Sequence, residues 1–363
     1  MKAAVLEGTG QSFTVRDVQI ADPIGREVLI EVRASGLCHS DLHVASSGAG
    51  FPMPALLGHE VAGVVAAVGP EVTEFSPGDH VVASPISSCG HCTGCLTGRP
   101  YQCRAPQETQ RTPDQAPRIS LGGQALTQFI GIGGFAEQVL VHERLVVGVS
   151  RDIPFDRAAL LGCGVVTGAG AAINSARIRP GDTVAVIGCG GVGLNVIQGA
   201  VLAGARRVVA VDLQPAKLGL AKDFGATDAV NPADGDAVDA VKDLTGGGVT
   251  HAFEVIGLRR TAMDAVAMLD VGGTAYLIGV HKPGATIEVT PFGDLMGKQK
   301  GIRGVAMGST NLKVDIPFYA DLYLQGRFKL DELVSRRISL NEVNDGYELL
   351  RGGSVARSVV TTF

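Results

Sequence analysis

The feature that most constrains how this chain can fold is a glycine-rich turn between a β-branched run and a helical run. The run Thr183–Ile187 leads into G-C-G-G-V-G at positions 188–193, and a helix is predicted over residues 192–203. The next predicted strand, Arg207–Val211, ends in Asp212. A lone glycine motif is weak, but a strand before it, a helix after it and a later acid together predict a dinucleotide-binding βαβ unit.

Each conspicuous residue of this motif has a physical task. Gly188 allows the tight turn, Gly190 lets the backbone approach a pyrophosphate, and Gly193 lets the helix lie against the sheet. The N–H groups at the helix start, including those of Gly191 and Val192, would donate to the phosphates. Cys189 is predicted to be structural.

The acid after the second strand predicts which dinucleotide binds. Asp212 would accept hydrogen bonds from the adenosine ribose hydroxyls, and its charge would repel a 2′-phosphate. Arg206 and Arg207 precede Asp212, so they lie along the strand rather than beyond it. We therefore predict NAD over NADP, with Gln214 and Lys217 leaving NADP open.

Downstream of this motif, helical and β-rich runs alternate, which predicts a doubly wound parallel sheet of six strands if residues 301–306 form the sixth. The first 83 residues read instead as short β-rich runs separated by Gly and Pro turns, which predicts an antiparallel β domain. A final β-rich run, residues 356–361, is expected to return to that first sheet. The predicted fold class is therefore α/β with a second, β-rich domain.

Composition and charge indicate which classes of binding partner are not expected. Hydrophobic residues make up 45% of the 363-residue chain, its net charge is −5, and it contains no basic run. A nucleic acid or an anionic membrane is therefore not an expected partner. There is no spanning apolar run and no signal-like start, so a cytoplasmic protein is expected. The seven cysteines are an odd number, which argues against a disulfide framework.

Four of the cysteines are crowded into one short segment. Positions 89–103 read C-G-H-C-T-G-C-L-T-G-R-P-Y-Q-C, so Cys89, Cys92, Cys95 and Cys103 can surround one tetrahedral zinc ion with no open position. A redox thiol pair would be expected at a helix start beside a βαβ unit, and that context is missing. An iron–sulfur cluster is the main alternative. His91 is predicted to be a bystander.

A second set of soft ligands is spread along the chain. Cys38 lies in G-L-C-H-S-D-L-H and His59 in G-H-E, and sulfur with imidazole suits Zn²⁺. Cys163 lies in a small-residue helical run between two glycines that allow close approach of another group. Alone, it would more often be a small buried hydrophobe.

A zinc site with an open position and a nicotinamide together predict hydride transfer to or from carbon, with the metal lowering the pKa of an alcohol. Ser40 is close enough in sequence to Cys38 to contact the same substrate oxygen, and His43 could pass the proton to solvent. The alternative interpretations are a turn hydroxyl for Ser40 and a surface histidine for His43.

The motifs at 36–43, 58–63, 89–103, 162–164 and 188–193 resemble those of zinc-dependent medium-chain alcohol dehydrogenases, and the resemblance covers essentially the full chain. The similarity implies a GroES-like catalytic domain at 1–164 and 307–363, with the structural zinc lobe at about 86–104. It implies a Rossmann NAD-binding domain at 165–306. Two zinc ions per chain are expected.

The resemblance also implies roles for particular residues. It implies Cys38, His59 and Cys163 as catalytic zinc ligands, Glu60 as a nearby acid that can move onto the metal, and Asp41 as the carboxylate that orients the ligand histidine. Ser40 and His43 match the family's proton relay. The implied cofactor contacts are His39, Thr167, Lys217, Ile278, Val280 and Arg357. The implied substrate pocket is apolar, formed by Pro85, Phe129, Val280 and Ala306.

The chain also resembles the thiol-dependent formaldehyde dehydrogenases and the benzyl alcohol dehydrogenase branch. Residues 46–51 lack the acidic groups that receive a glutathione adduct, which argues against thiol-adduct activity. The expected activity is therefore NAD-dependent interconversion of a primary or secondary alcohol with its aldehyde or ketone. Thiol-adduct formaldehyde oxidation and a catalytically silent NAD-binding protein are the alternatives. A homodimer is expected, with a tetramer as the alternative.

Overall fold

A computed structural model describes residues 1–353 and 356–363. Among these, the strands are β1 Lys2–Leu6, β2 Phe13–Asp17, β3 Gln19–Ile20, β4 Glu27–Gly36, β5 Ala55–Leu56, β6 Glu60–Val68, β7 His80–Ala83, β8 Ile119–Leu121, β9 Gln124–Ala125, β10 Thr127–Gln128, β11 Gln138–His142, β12 Val146–Gly148, β13 Thr183–Ile187, β14 Arg207–Val211, β15 Asp228–Val230, β16 Val249–Glu254, β17 Leu269–Leu277, β18 Gly301–Gly304, β19 Val334–Ser339 and β20 Arg357–Thr362.

The α-helices in the same residues are α1 His39–Ser47, α2 Thr93–Leu96, α3 Phe155–Leu160, α4 Val166–Gly170, α5 Gly191–Leu202, α6 Pro215–Asp223, α7 Ala237–Thr245, α8 Arg259–Ala267, α9 Leu312–Leu324 and α10 Val343–Arg351. Segments Leu161–Val165, Ala171–Ala176 and Pro291–Leu295 are π-helical. The 3₁₀ segments are Pro100–Gln102, Pro106–Thr109, Phe129–Gly131, Glu143–Leu145, Met296–Lys298, Met307–Ser309, Asp331–Leu333 and Leu340–Glu342.

The chain divides into two compact units, the first made of Met1–Gly164 with Asn311–Phe363 and the second of Val165–Thr310. The first unit is built on a sheet ordered β12-β7-β6-β4-β20-β19, in which β11 also pairs with β4. A smaller sheet, β10-β5-β1-β2, packs its apolar side chains with those of α10 into one core that includes Leu6, Leu56, Phe135 and Tyr347. The expected return of the last strand is confirmed, because β20 pairs antiparallel with β4.

The second unit is a parallel sheet ordered β15-β14-β13-β16-β17-β18, as predicted. Its sixth strand is β18, which pairs in parallel with β17. The central strands are β-branched and fully buried, as expected when helices cover both faces of a parallel sheet. Strand order reverses between β13 and β16, and such a switch point is where doubly wound sheets bind ligands.

Two segments differ from what the sequence suggests. Residues 39–47 form helix α1, which the sequence does not signal because its N-cap Cys38 provides no side-chain hydrogen bond. Residues 104–134, whose prolines and glycines suggest a long loop, contain short strands and 3₁₀ turns. This segment is tied down by Arg111 and Arg118, which both donate to the buried carboxylate of Glu27.

One helical stretch, Phe155–Ala176, is long and apolar enough to cross a membrane by length and composition alone. However, 89% of its apolar window is buried inside the protein, as in the core helix of a globular domain.

Candidate active site and metal centres

Strand register places three candidate groups at one end of the large sheet. In the β4–β6 pair, Gly36 lies opposite Glu60, so Cys38, two residues beyond the end of one strand, and His59, one before the other, come together. In the β20–β4 pair, Val359 lies opposite Gly36, which brings Arg357 to the same end. A Cβ on Gly36 would lie 2.3 Å from Glu60 Oε2, so any other residue there would force the Glu60 carboxylate to shift.

Cys163 reaches this end of the sheet on the π-helical turn Leu161–Val165. Such turns are rare and recur at functional sites. Both glycine neighbours of Cys163 lie against other groups: a Cβ on Gly162 would be 2.5 Å from the Ala83 carbonyl oxygen, and one on Gly164 would be 2.8 Å from Arg357 Nη2. The glycines therefore allow the turn to approach the sheet closely, as the sequence suggested.

The ligand atoms of Cys38, His59, Glu60 and Cys163 lie within 4.8 Å of one another, and all four residues are buried. His59 Nδ1 lies 3.1 Å from Asp41 Oδ1, which leaves Nε2 for a metal and fixes the ring orientation. Asp41 Oδ1 also accepts from the Gly58 N–H at 2.9 Å. Two thiols and one imidazole, with the Glu60 carboxylate close by, fit a zinc ion that keeps a position open for substrate.

The electrostatics of this centre favour binding of a cation. The Cys163 thiol and the positive Arg357 lower the pKa of Cys38 far below that of a free thiol, despite burial. Burial raises the pKa of Glu60 to about 7, and Arg357 at 3.2 Å opposes that rise. Both oxygens of Glu60 are buried without a hydrogen-bond partner among the described residues, which suits a carboxylate that can exchange between the guanidinium and a metal.

Helix α1 positions the predicted proton-relay residues. The Ser40 hydroxyl lies 3.7 Å from Cys38 Sγ, beside the ligand cluster. His43 is partly exposed one turn later, and its carbonyl oxygen accepts from the hydroxyls of Ser46 and Ser47. His39 lies at the exposed first position of the helix.

One predicted pocket residue of this unit lies directly against a candidate ligand. Phe129 is 4% exposed, and its ring meets the His59 ring edge-to-face with centroids 5.5 Å apart. Phe51, which the sequence analysis did not identify, packs edge-to-face on Phe129 at 4.9 Å. Pro85 is partly buried, two residues after the end of β7.

The four clustered cysteines form a second centre, with all four sulfurs within 4.8 Å of one another. Cys89 Sγ lies 3.9 Å and Cys92 Sγ 3.6 Å from Cys95 Sγ. Zinc–sulfur bonds of 2.3 Å in a tetrahedron require sulfur separations of about 3.8 Å, so the cluster matches the edges of such a site. Backbone N–H groups help lower the pKa of Cys92 to about 6. His91 instead hydrogen-bonds Glu108 at 2.7 Å, consistent with a bystander.

In the second unit, the glycine loop has the shape of a phosphate cradle. Gly188 has φ +99°, which only glycine adopts without strain, and a Cβ on Gly193 would lie 1.8 Å from the Gly188 carbonyl oxygen. A Cβ on Gly190 would meet nothing within 4 Å, so the space beside it is open to a ligand. Helix α5 begins at Gly191 without a side-chain cap, which leaves first-turn N–H groups, such as that of Val192, available to an anion.

Asp212 lies at the end of β14 next to this loop. Its Oδ2 accepts from the Cys189 N–H at 2.8 Å, and its Oδ1 accepts from the Gln214 N–H at 2.9 Å. Each oxygen keeps a lone pair for a ribose hydroxyl. Lys217 is partly exposed on α6, whereas Arg207 pairs with Asp228 at 3.3 Å.

The remaining predicted cofactor and pocket residues of this unit lie near the carboxyl ends of strands or on α4. Thr167 on α4 is 8% exposed, with its hydroxyl 3.7 Å from Met307 Sδ. Ile278 follows β17 and its N–H donates to the Glu254 carbonyl, while Val280 is 56% exposed. Ala306 is exposed beyond β18.

The sequence analysis missed Glu254, although an acid at the end of a parallel strand is a recognisable signal. Its buried carboxylate accepts from the Ile256 and Gly257 N–H groups and from the Thr261 hydroxyl, fixing the loop after β16.

Two family models and a relative of known class match this chain. Residues 25–151 match the family model of the alcohol dehydrogenase GroES-like domain, and residues 191–321 match that of the zinc-binding dehydrogenase. The chain is 37% identical to a class-3 alcohol dehydrogenase of Cereibacter sphaeroides, over 99% of both chains.

Two solved structures are similar along the whole chain. Benzyl alcohol dehydrogenase from Acinetobacter calcoaceticus superposes with a TM-score of 0.94 at 35% identity, covering 100% of this chain and 99% of that one. A zinc-binding dehydrogenase from Sinorhizobium meliloti, bound to NADP, superposes with a TM-score of 0.82 at 30% identity, covering 99% and 98%.

Proposed function

Because the chain belongs to the zinc-dependent medium-chain alcohol dehydrogenases, we propose that it interconverts primary or secondary alcohols of moderate size with their aldehydes or ketones, using NAD. Membership of this family identifies the chain as a zinc-dependent alcohol oxidoreductase with a nicotinamide cofactor. The observation that carries the residue-level proposal is the convergence of Cys38, His59 and Cys163, with Glu60, on one buried point.

When bound, zinc supplies a Lewis acid that lowers the pKa of an alcohol oxygen, and the nicotinamide supplies the hydride acceptor. Cys38, His59 and Cys163 would hold the metal, and Asp41 would keep the His59 ring in the tautomer that binds it. Arg357 would hold Glu60 away from the metal position by pairing with it.

Two residues of helix α1 would handle the proton. Ser40, beside the ligand sulfur, would accept a hydrogen bond from the substrate hydroxyl and take up its proton. His43 is partly exposed and would deliver that proton to solvent.

The preference for NAD depends on Asp212. Its carboxylate is anchored by two backbone N–H groups beside the glycine loop, so a 2′-phosphate would meet a fixed negative charge. Gly188, Gly190, Gly191, Val192 and Gly193 would receive the pyrophosphate, and Lys217, Thr167, Ile278, Val280, His39 and Arg357 would complete the site. His39 replaces the arginine of some family members, so we expect weaker and more pH-dependent NAD binding.

The proposed substrate class rests on the apolar character of Pro85, Phe129, Val280 and Ala306, the residues that the family resemblance implies for the substrate pocket. Phe129 offers an aromatic face next to His59, which suits benzyl alcohol as well as longer alkanols. The similar structure of a benzyl alcohol dehydrogenase supports the same choice.

Formaldehyde oxidation as a thiol adduct is the second candidate, favoured by the class-3 relative. The absence of acidic side chains at 46–51 argues against a glutathione adduct, because the positively charged amine of glutathione would have no acidic partner there.

A substrate panel read by NADH absorbance tests these proposals. Ethanol, longer alkanols, benzyl alcohol and formaldehyde are compared, the last with and without glutathione or mycothiol. We expect highest kcat/KM on benzyl alcohol or a longer alkanol with NAD. Turnover of formaldehyde only with a thiol would favour the second candidate. Light scattering of the purified protein tests the expected homodimer against a tetramer.

A further inference from the structure

A buried tyrosine from the far end of the chain lies behind the proposed catalytic metal centre. Tyr347, on helix α10, is 3% exposed, and its hydroxyl has no hydrogen-bond partner among the described residues. Asp41 is fully buried, and its Oδ2 likewise has none. Leaving either polar atom unpaired in the interior costs free energy, so the two are expected to pair.

The surroundings of Tyr347 hold its ring in one place. The ring stacks on Phe13 with centroids 5.4 Å apart and planes at 18°, and it meets Phe135 edge-on at 6.2 Å. Asn344, one turn earlier, donates to the Phe13 carbonyl and accepts from the Phe13 N–H, both at 2.9 Å. These contacts anchor α10 to β2, so the hydroxyl has little freedom to turn elsewhere.

The same helix approaches the metal-binding segment directly. A Cβ on Gly346 would lie 2.7 Å from Leu37, the residue before Cys38. Burial raises the pKa of Tyr347 far above that of a free phenol, and the Asp41 carboxylate adds to the rise both through its charge and as a hydrogen-bond acceptor. At neutral pH the Tyr347 hydroxyl therefore keeps its proton and is able to donate a hydrogen bond.

We propose that Tyr347 is a positioning residue for the catalytic zinc site, donating a hydrogen bond to Asp41 Oδ2 so that Oδ1 stays aligned with His59 Nδ1. The chain of contacts runs from Tyr347 through Asp41 to His59 and the metal. This inference depends on the proposed function, because it requires the Cys38–His59–Cys163 centre to bind zinc.

The test compares Tyr347→Phe with Tyr319→Phe, a matched control. Tyr319 is 1% exposed on α9, so its variant also removes one buried phenolic hydroxyl. Mutation of a residue that hydrogen-bonds a metal ligand or supports it from outside typically lowers metal affinity or activity 10- to 100-fold. We expect Tyr347→Phe to speed loss of the catalytic zinc to a chelator about 10-fold, with zinc in the cysteine lobe retained as in the wild type. Tyr319→Phe should release both ions at the wild-type rate.

A double-mutant cycle with Asp41→Asn shows whether Tyr347 acts through Asp41. In the Asp41→Asn background, Tyr347→Phe should add less than a two-fold change in zinc release. Equal release from Tyr347→Phe and wild type, faster release of both ions together, or a full 10-fold effect in the Asp41→Asn background would overturn the proposal. A wild-type chain that binds only one zinc would instead contradict the proposed function.

Discussion

Arg357 Nη2 lies 3.2 Å from Glu60 Oε1, and the two side chains are 4% and 0% exposed. This ion pair is buried within the same end of the sheet as Cys38, His59 and Cys163, so the guanidinium offsets a local excess of acidic groups. Arg357 is one of the few groups that can do so, because its charge persists even when burial disfavours it.

Removing the guanidinium should destabilise the first unit. In Arg357→Met, the Glu60 carboxylate loses its partner in a buried site, and breaking such pairs typically costs about 3–5 kcal/mol. Adding Glu60→Gln removes the uncompensated charge, so the double variant should be more stable than the single one. Thermal unfolding of the zinc-loaded proteins checks this order. A double variant no more stable than Arg357→Met would contradict it.

Ser40→Ala should slow the chemical step without weakening zinc binding. The hydroxyl lies beside the ligand sulfur, and general acid–base groups contribute about 10²- to 10⁴-fold to rates. We expect kcat to fall at least 100-fold with unchanged zinc content. Ser46→Ala is the control, since that hydroxyl on the same helix only donates to the His43 carbonyl. Equal rates for the two variants would exclude Ser40 from the relay.

Asp212→Ala should shift the cofactor preference. The variant removes the charge that would repel a 2′-phosphate and the acceptors for the ribose hydroxyls. Hydrogen bonds to charged groups contribute about 1.5–3 kcal/mol, so kcat/KM for NAD should fall about 10- to 100-fold while that for NADP rises. Steady-state kinetics with both cofactors measure the ratio, with Asp228→Ala as a control. Better activity of the wild type with NADP than with NAD would reverse the assignment.

His142 should make the first unit less stable in acid. Its Nδ1 accepts the Arg144 N–H at 3.1 Å, which requires the unprotonated nitrogen. Burial and nearby arginines lower its pKa to about 4, against 6.5 for an ordinary histidine. Between those values the unfolded chain binds a proton that the folded chain does not, so stability falls as the pH drops through this window.

The size of that effect can be isolated with His142→Asn, which keeps an N-cap acceptor but does not titrate. Between pH 7 and pH 5 the wild type should lose about 1–2 kcal/mol more than the variant. Urea unfolding at the two pH values provides the comparison. Identical losses for both proteins would show that His142 does not contribute.

The parallel sheet was predictable because its signals are local. One short segment contains the turn at Gly188, the helix after it and Asp212 at the end of the next strand. Each of these features has one physical explanation. The cysteine lobe was predictable for the same reason: Cys89, Cys92, Cys95 and Cys103 are close in sequence and of one chemical type.

The surroundings of the proposed catalytic centre could not be predicted in the same way. Cys163 joins Cys38 through a π-helical turn that no propensity indicates, and α1 begins at a residue without a capping side chain. The pairing of Arg357 with Glu60 depends on strand register between segments almost 300 residues apart, and helix α10 approaches Leu37 only through tertiary packing. Such long-range contacts leave no period or spacing in the sequence.

The zinc content of three purified proteins tests the central claim most directly. The account predicts two zinc ions per wild-type chain. Cys163→Ser should retain only the ion of the cysteine lobe and lose alcohol oxidation, whereas Cys92→Ser should lose the lobe ion. A wild type with one zinc, or a Cys163→Ser protein that keeps two ions and full activity, would contradict it.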